Sequence, residues 1–470
     1  MPFKKDPSVF QYLKSRYNLL IEKLNYVAYQ NEQLEKQNEK LNLELLALKQ
    51  QLIEYKANSD AQFDYFKDII DKIETKPMPF NAELLSLKET ALKKIVIVGF
   101  YGAPNSGDEL MLQAILNQID NVKAAVTVMV ADNPEYKPLY YRNVSYIHYP
   151  KTNMDINIIA QYFDAIVIGG GAHIEDSYFS DNDSYKYNVG TIMLELSMAA
   201  IANKKEVFCI GLSSAETLSD AGYLSKLDHI ISDSAIFSVR DKYSLETLRS
   251  SGIHNTDRIS ICADLAFLLP TDKEDNRKNS DECPVIGLVM VAFSDSDMIK
   301  SIITWAEEAI GPRYHDYKFR IIPFYDYLQS DILNMQRIIS EMDIEEKHVE
   351  FIPYYQSYDD IVTAFVECDI IISMRYHASL IAMKSGVPAV SIVYDSHSHY
   401  NNKMRELADL FDENKLFISY KNLSKESLER ALEYAIENRY TISHKTKELG
   451  KELEEKATQD YAEFFRRITV

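Results

Sequence analysis

The chain has 470 residues, 46% of them hydrophobic, enough to bury a sizeable core and to build two or three domains. Its 51 Lys and Arg against 71 Asp and Glu give a formal charge of −20, which repels nucleic-acid phosphates and an anionic bilayer alike. No nucleic-acid partner is therefore expected. Cys209, Cys262, Cys283 and Cys368 form no Cys-x-x-Cys pair, which argues against a disulfide framework or a thiolate zinc site and for reducing cytoplasm. No apolar stretch follows Met1 as a signal peptide requires, and no window approaches the ~20 apolar residues of a membrane span. Membrane contact is expected to be at most peripheral, at the inner face.

In chain order, residues 1–76 read first as a coiled coil. Leu13, Tyr17, Leu20, Leu24, Val27, Asn31, Leu34, Asn38, Leu41, Leu45, Leu48, Leu52 and Tyr55 follow one another in alternating steps of three and four, flanked by Glu, Lys, Gln and Asn. The two Asn fall at a positions, where a buried amide selects an in-register partner. The segment is expected to make a homo-oligomer, a parallel dimer first and a trimer as the alternative; a long helix packed on its own body is the other reading. Pro77 and Pro79 open a linker over 77–93.

From 94 the chain alternates short β-branched runs with helical stretches. Ile95 to Gly99, Val126 to Ala131, Ala165 to Ile168 and Glu206 to Ile210 read as buried parallel strands of a first Rossmann-like lobe, 94–270. A polar stretch over 271–284 breaks the pattern. A second series, Val285 to Met290, Lys318 to Pro323, Val349 to Ile352, Ile370 to Ser373 and Ala389 to Val393, predicts a second lobe over 285–442, with a charged amphipathic helix over 443–470. Such α/β lobes hold ligands in the crevice at the carboxyl ends of their strands.

Four strand ends carry candidate chemistry. In Gly99 to Glu109 the glycines Gly102 and Gly107 allow close backbone approach, the helix start offers amides to an anion, and the Asn105 amide suits a sugar hydroxyl. The loop matches neither a Walker sequence nor Gly-x-Gly-x-x-Gly; a tight turn in which Asp108 and Glu109 complement the helix dipole explains it equally. Gly169, Gly170 and Gly171 bare the backbone for sugar or phosphate, or merely loosen a loop, and His173 beside them reads as an ordinary loop histidine. Arg240 suits a carboxylate or phosphate, while Asp241 pairs with it or caps the next helix. In Ser373-Met374-Arg375-Tyr376-His377 an extended backbone would send Arg375 and His377 to one face, an anion clamp beside a proton carrier, with Gly386 closing the helix that follows. A purely structural Arg–His pair is the alternative.

At these residues the chain resembles the polysaccharide pyruvyl transferase family. The resemblance runs from about Lys94 to Ser398 and rests on Gly-x-x-Gly-x-x-Asn-x-Gly-Asp-Glu, Gly-Gly-Gly ending in Asp176, Arg240-Asp241, Cys262-Ala263-Asp264 and Ser-Met-Arg-x-His in that order. It implies a GT-B-like pair of lobes, phosphoenolpyruvate as co-substrate with no other cofactor and no metal, and a saccharide or lipid-linked saccharide acceptor whose hydroxyl pair becomes a pyruvate ketal. By the same resemblance Arg375 and His377 would hold and protonate the donor, Arg240 would add a second anion contact and Asn105 would lie near the acceptor; from their own two loops, Gly102, Gly107, Asp108, Gly170 and Gly171 are expected on the acceptor side as well. Where relatives carry Gly-x-Gly-x-Gly-Pro, this chain has Gly211-Leu212-Ser213-Ser214-Ala215-Glu216, a departure that bears on the crevice wall. Competing expectations are a glycosyltransferase using a nucleotide sugar and a non-catalytic organiser of polysaccharide synthesis.

Overall fold

A computed structural model describes Leu87 and residues 92–119, 123–131, 144–176, 189–270, 284–291, 296–310, 317–325, 330–342, 348–355, 357–393 and 400–469. The coiled-coil expectation for 1–76 lies outside the described residues. One compact unit, Leu92–Tyr149 with Ile159–Val470, carries both sheets.

The first sheet is wholly parallel. In chain order its strands are β1 (Lys93–Val98), β2 (Ala124–Val130), β3 (Val144–His148), β4 (Ala165–Ile168), β5 (Gly171–Ile174), β6 (Glu206–Ser214), β7 (Ile236–Val239) and β8 (Ile259–Ile261). They lie in the order β3-β2-β1-β4-β6-β7-β8, with β5 paired to the end of β6. β1 reads Lys-Lys-Ile-Val-Ile-Val and its last four residues are buried, as a central strand covered on both faces requires. The second sheet holds β9 (Val285–Val289), β10 (Lys318–Ile321), β11 (Val349–Phe351), β12 (Ile370–Ser373), β13 (Ala389–Ile392) and β14 (Phe417–Ile418), ordered β11-β10-β9-β12-β13-β14 and again parallel throughout. In each sheet the order reverses beside the first strand, between β1 and β4 and between β9 and β12. Strand ends splay there, and a ligand fits between them.

The helices that position the site are α1 (Ser106–Gln118), α2 (Asn153–Tyr162), α3 (Val189–Ala202), α4 (Ala221–Asp233), α5 (Lys242–Ser250), α6 (Ser296–Ile310), α7 (Ser330–Ser340), α8 (Tyr358–Val366), α9 (Tyr376–Lys384), α10 (Tyr400–Leu410), α11 (Lys425–Glu437) and α12 (Arg439–Ile468). The lobes share a core. One cluster of buried side chains runs from Ile95 and Ile97 of β1 through Leu265 and Phe267 to Ala378 and Leu380 of α9 and on to Tyr461 and Phe464 of α12. Polar seams join the lobes at the start of α1, where Ser106 N donates to Phe324 O (2.9 Å) and Ser106 Oγ to Tyr355 O (2.7 Å).

α12 begins four residues before the amphipathic segment expected at 443 and returns to the first lobe. Tyr461 Oη donates to Ala263 O (2.7 Å), Asp460 accepts from Ala263 N (2.7 Å), and Arg467 pairs with Glu206 (3.1 Å). Of the triple glycine, Gly169 and Gly170 lie in the connection after β4 as expected, whereas Gly171 starts β5, whose register on β6 shifts between Gly171 and Ile174. Among the described residues no helix is long and apolar enough to cross a membrane.

Candidate active site

A cavity of about 580 Å³ opens between the carboxyl ends of the two sheets. The first lobe lines it with Asn105, Asp108, Tyr149, Gly171, His173, Glu175 and Arg240, and the second with Phe324, Arg375, Tyr376, His377 and Lys403. Most of these side chains leave the ends of strands or the first turns of helices.

At the end of β7, Arg240 is buried and its Nη1 donates to Asp264 Oδ2 at 2.7 Å. Its guanidinium lies 4.7 Å from the centroid of Tyr376, a cation–π contact, and its Nε has no hydrogen-bond partner. Asp241 is the N-cap of α5: Oδ1 accepts from Ser244 N (2.6 Å) and Oδ2 from Ser213 Oγ (3.0 Å), so the capping alternative describes it. Asp264 caps the short 3-10 helix Leu265–Leu268 through Oδ1 (2.8 Å to Ala266 N), leaving Oδ2 for Arg240 and for His377 Nε2 at 3.5 Å. Burial alone would raise the Asp264 carboxyl; Arg240 and His377 outweigh it and hold the group well below the usual carboxylate range.

Arg375 and His377 reach the cavity by a different route from the one their spacing predicts. Arg375 is the extended N-cap of α9 (φ −114°, ψ 127°), whereas His377 already belongs to the helix, so strand alternation does not align them. Ser373 fixes the bend: its Oγ accepts from Arg375 N (3.0 Å) and donates to Arg375 O (2.9 Å). The Arg375 guanidinium sits 3.6 Å from Asp331 Oδ1 and 5.4 Å from the Tyr325 ring centroid, with Nε lacking a hydrogen-bond partner. Asp331 is itself fixed, Oδ2 accepting from Tyr325 N at 2.9 Å. His377 Nε2 is 3.3 Å from Arg240 Nη1. Burial lowers the His377 pKa, Asp264 opposes the shift, Arg240 and Lys403 add to it, and the net direction is down.

The glycines divide. A Cβ on Gly107 would lie 2.3 Å from His377 Nδ1, so α1 carries a glycine where the imidazole of the other lobe rests on its backbone. Gly171 also lines the cavity. Gly102 and Gly170, expected on the acceptor side, are outside the lining. Gly102 turns the chain at φ +70° against Val130, and its N–H donates to Glu109 Oε1 (2.8 Å); Gly170 packs on Met111 and Leu265. Asn105 lines the cavity but is more structural than its sequence context indicates. It is the N-cap of α1, Oδ1 accepting from Gly107 N (3.2 Å), and its backbone bridges to Tyr325.

Asp108 faces the cavity from the first turn of α1. Burial raises its pKa, Arg240, Lys403 and Arg375 pull it down, and it comes to about 7. Glu109 beside it points into the core and is pushed up to about 8 by burial, against the Gly102 N–H. Lys403 and His173 also join this constellation. Lys403 of α10 is 4% exposed, and burial together with Arg240 brings it down to about 7. His173, read as a loop histidine, is a buried β5 residue that burial and Arg240 bring down to about 4, so it is neutral near pH 7. Among the described residues no group of three His, Cys, Asp or Glu side chains could hold a metal ion.

The family model for polysaccharide pyruvyl transferase matches residues 105–396, well over half of the chain and the whole span from Asn105 to His377. The chain belongs to the polysaccharide pyruvyl transferase family. None of the curated proteins matches this transferase. Among solved structures it is similar to a mutant O-GlcNAc transferase of Thermobaculum terrenum (12% identity, 80% of this chain and 68% of that one, TM-score 0.46). It is also similar to Anabaena HepE in complex with UDP-glucose (12%, 80% and 98%, TM-score 0.48) and to UDP-GlcNAc 2-epimerase of Neisseria meningitidis bound to UDP-GlcNAc (14%, 80% and 100%, TM-score 0.47). Lys403 of the transferase sits in Asn401-Asn402-Lys403-Met404-Arg405, with no glycine and no strand end to flag it; Asp264 had a signal, its place in Cys262-Ala263-Asp264, but no role attached to it.

Proposed function

We propose that the protein transfers the enolpyruvyl group of phosphoenolpyruvate to two hydroxyls of a saccharide, forming a pyruvate ketal on a cell-surface polysaccharide or its precursor. The observation that carries this reading is the meeting of Arg240, Arg375, His377 and Lys403 from two lobes in one cavity, with His377 held between Asp264 and Arg240. Phosphoenolpyruvate brings a carboxylate and a phosphate. Two guanidiniums with unused N–H donors answer those charges, and guanidinium forks suit both groups.

In the reaction the His377 proton passes to the methylene carbon, and C2 becomes electrophilic. A sugar hydroxyl oxygen bonds to C2, the C2–O bond to phosphate breaks, and a second hydroxyl closes the ketal. Of the two hydroxyl protons one restores His377 and the other leaves with inorganic phosphate. The low pKa of His377 in the free enzyme does not oppose this role. A bound multiply charged anion stabilises the imidazolium, so the proton is loaded when the donor arrives. Asp264 orients the ring and stabilises its charged form, as a carboxylate behind a histidine does. Asp108 and neutral His173 line the same cavity and can accept from the saccharide hydroxyls.

The test is a thermal-shift titration with phosphoenolpyruvate, with UDP-sugars as comparators, followed by phosphate release over a saccharide panel. Saturable stabilisation by phosphoenolpyruvate is expected, and stabilisation by UDP-sugars instead would move the protein to nucleotide-sugar chemistry. His377→Gln should retain stabilisation by phosphoenolpyruvate and lose turnover by ~10²-fold or more. Full turnover with unchanged pH dependence in that variant would remove His377 from the acid role.

A further inference from the structure

α9 and the 3-10 helix Leu265–Leu268 meet at two points. At one, His377 faces Asp264 at 3.5 Å. At the other, Lys384 Nζ donates to the carbonyls of Phe267 (2.7 Å) and Leu269 and pairs with Glu454 of α12 at 3.1 Å. Lys384 is 0% exposed. Burying an ammonium carries a desolvation cost, and an apolar side chain of similar volume packs as stably or more so. Filling space therefore does not account for the charge. What the ammonium adds is direction: its donors bind groups from two other elements at once.

The carbonyls it holds belong to the segment that carries Asp264. Asp264 caps that four-residue helix by its own Oδ1 (2.8 Å to Ala266 N), so carboxylate and helix form one short unit. The far side is equally close, since a Cβ on Gly450 of α12 would lie 3.1 Å from Lys384 O.

We propose that Lys384 is a positioning residue: by fixing the carbonyls after Asp264 it sets the lateral position of the Asp264 carboxylate against His377. The inference rests on the proposed role of His377 but not on its being right about the donor. The charged and titratable groups facing His377 are Asp264 and Arg240 from the first lobe and Lys403 from α10; those around Lys384 are Glu454 and, over Gly386, Lys447 of α12. Loss of a nearby positive charge would raise the His377 pKa, whereas retreat of Asp264 would lower it. The sign therefore separates positioning from direct electrostatics.

The experiment is a histidine-labelled NMR titration of the full chain, with the His377 signal assigned by its loss in His377→Gln. Lys384→Met is expected to keep the fold by circular dichroism, to lower the His377 pKa relative to wild type, and to reduce kcat ~10²-fold with KM for phosphoenolpyruvate little changed. An unchanged or raised His377 pKa in a folded Lys384→Met protein overturns the proposal. If that variant does not fold, Lys384→Gln, which keeps an N–H donor, should show a smaller shift of the same sign, and an unshifted titration there overturns it equally. Wild-type enzyme that neither binds phosphoenolpyruvate nor releases phosphate would count against pyruvyl transfer and leave the titration as the measure of positioning.

Discussion

The turn from β1 into α1 and the turn from β12 into α9 each leave a strand that borders the order reversal of its sheet, β1 as the first strand and β12 as the strand across the reversal from β9, and they deliver opposite chemistry. The first is built by absence: Gly102 turns the chain and Gly107 leaves room, and the side chains it presents are Asn105 and Asp108. The second is built by presence, Ser373 tying the bend so that Arg375 and His377 project from it. Each needs the other, because the imidazole of one lies on the bare backbone of the other. Two strand ends that border the order reversals thus bring an acidic turn against a cationic one, with Arg240 of the first lobe adding to the cations.

The sharpest break of this division is Arg375→Ala, which should abolish stabilisation by phosphoenolpyruvate in a thermal-shift titration while leaving the β1 turn intact. Next is Gly107→Ala. Inside an ordinary helix that change stabilises by about 1 kcal/mol, but here the methyl meets His377 Nδ1, so turnover should fall ~10²-fold although Ala is the better helix former. Adding His377→Ala, which removes the ring and keeps a good helix former in α9, should relieve the clash without recovering turnover, as urea unfolding and an activity assay would report.

Asp108→Asn tests the acidic turn more gently. Its carboxyl titrates at about 7, so above that pH the wild-type cavity holds an added negative charge and affinity for phosphoenolpyruvate should fall. Isothermal titration at pH 6 and pH 8 should show a shallower fall in the variant, reduced rather than absent, because Lys403 loses its proton in the same window. The smallest effect is on stability alone. Glu109, raised to about 8, favours folding below its unfolded pKa and loses that contribution as pH rises through about 8. Glu109→Gln should therefore match wild type near pH 4, gain on it progressively as pH rises from there to about 8, and be the more stable protein at pH 9 in urea.

Much of the parallel scaffold was legible because buried central strands are runs of Val and Ile with no competing periodicity, as in β1, β4 and β12. β5 was not: Gly171-Ala172-His173-Ile174 is short and opens on a glycine of low strand propensity, and it pairs with the end of β6. β3 and β8 are short and partly exposed, so their composition carries little signal. At the site, Arg240, Arg375 and His377 stood out by their position at strand ends. Lys403 and Asp331 come from the interior and first turn of amphipathic helices, where a charged residue ordinarily faces water, and only the tertiary arrangement turns them inward. Asn105 shows the converse, a side chain of suitable chemistry already engaged in capping its own helix.

The return of α12 bears on how the chain is made. Tyr461 and Ala263 are bonded across 198 residues, and Tyr461, Phe464 and Ile468 belong to the same buried cluster as β1. During synthesis the first lobe emerges with a gap in its core that is filled only after the entire second lobe has followed it off the ribosome. Vectorial folding, the usual advantage of sequential domains, is thereby withheld from the lobe made first, and a nascent chain stalled before Tyr461 would present an open apolar groove to chaperones.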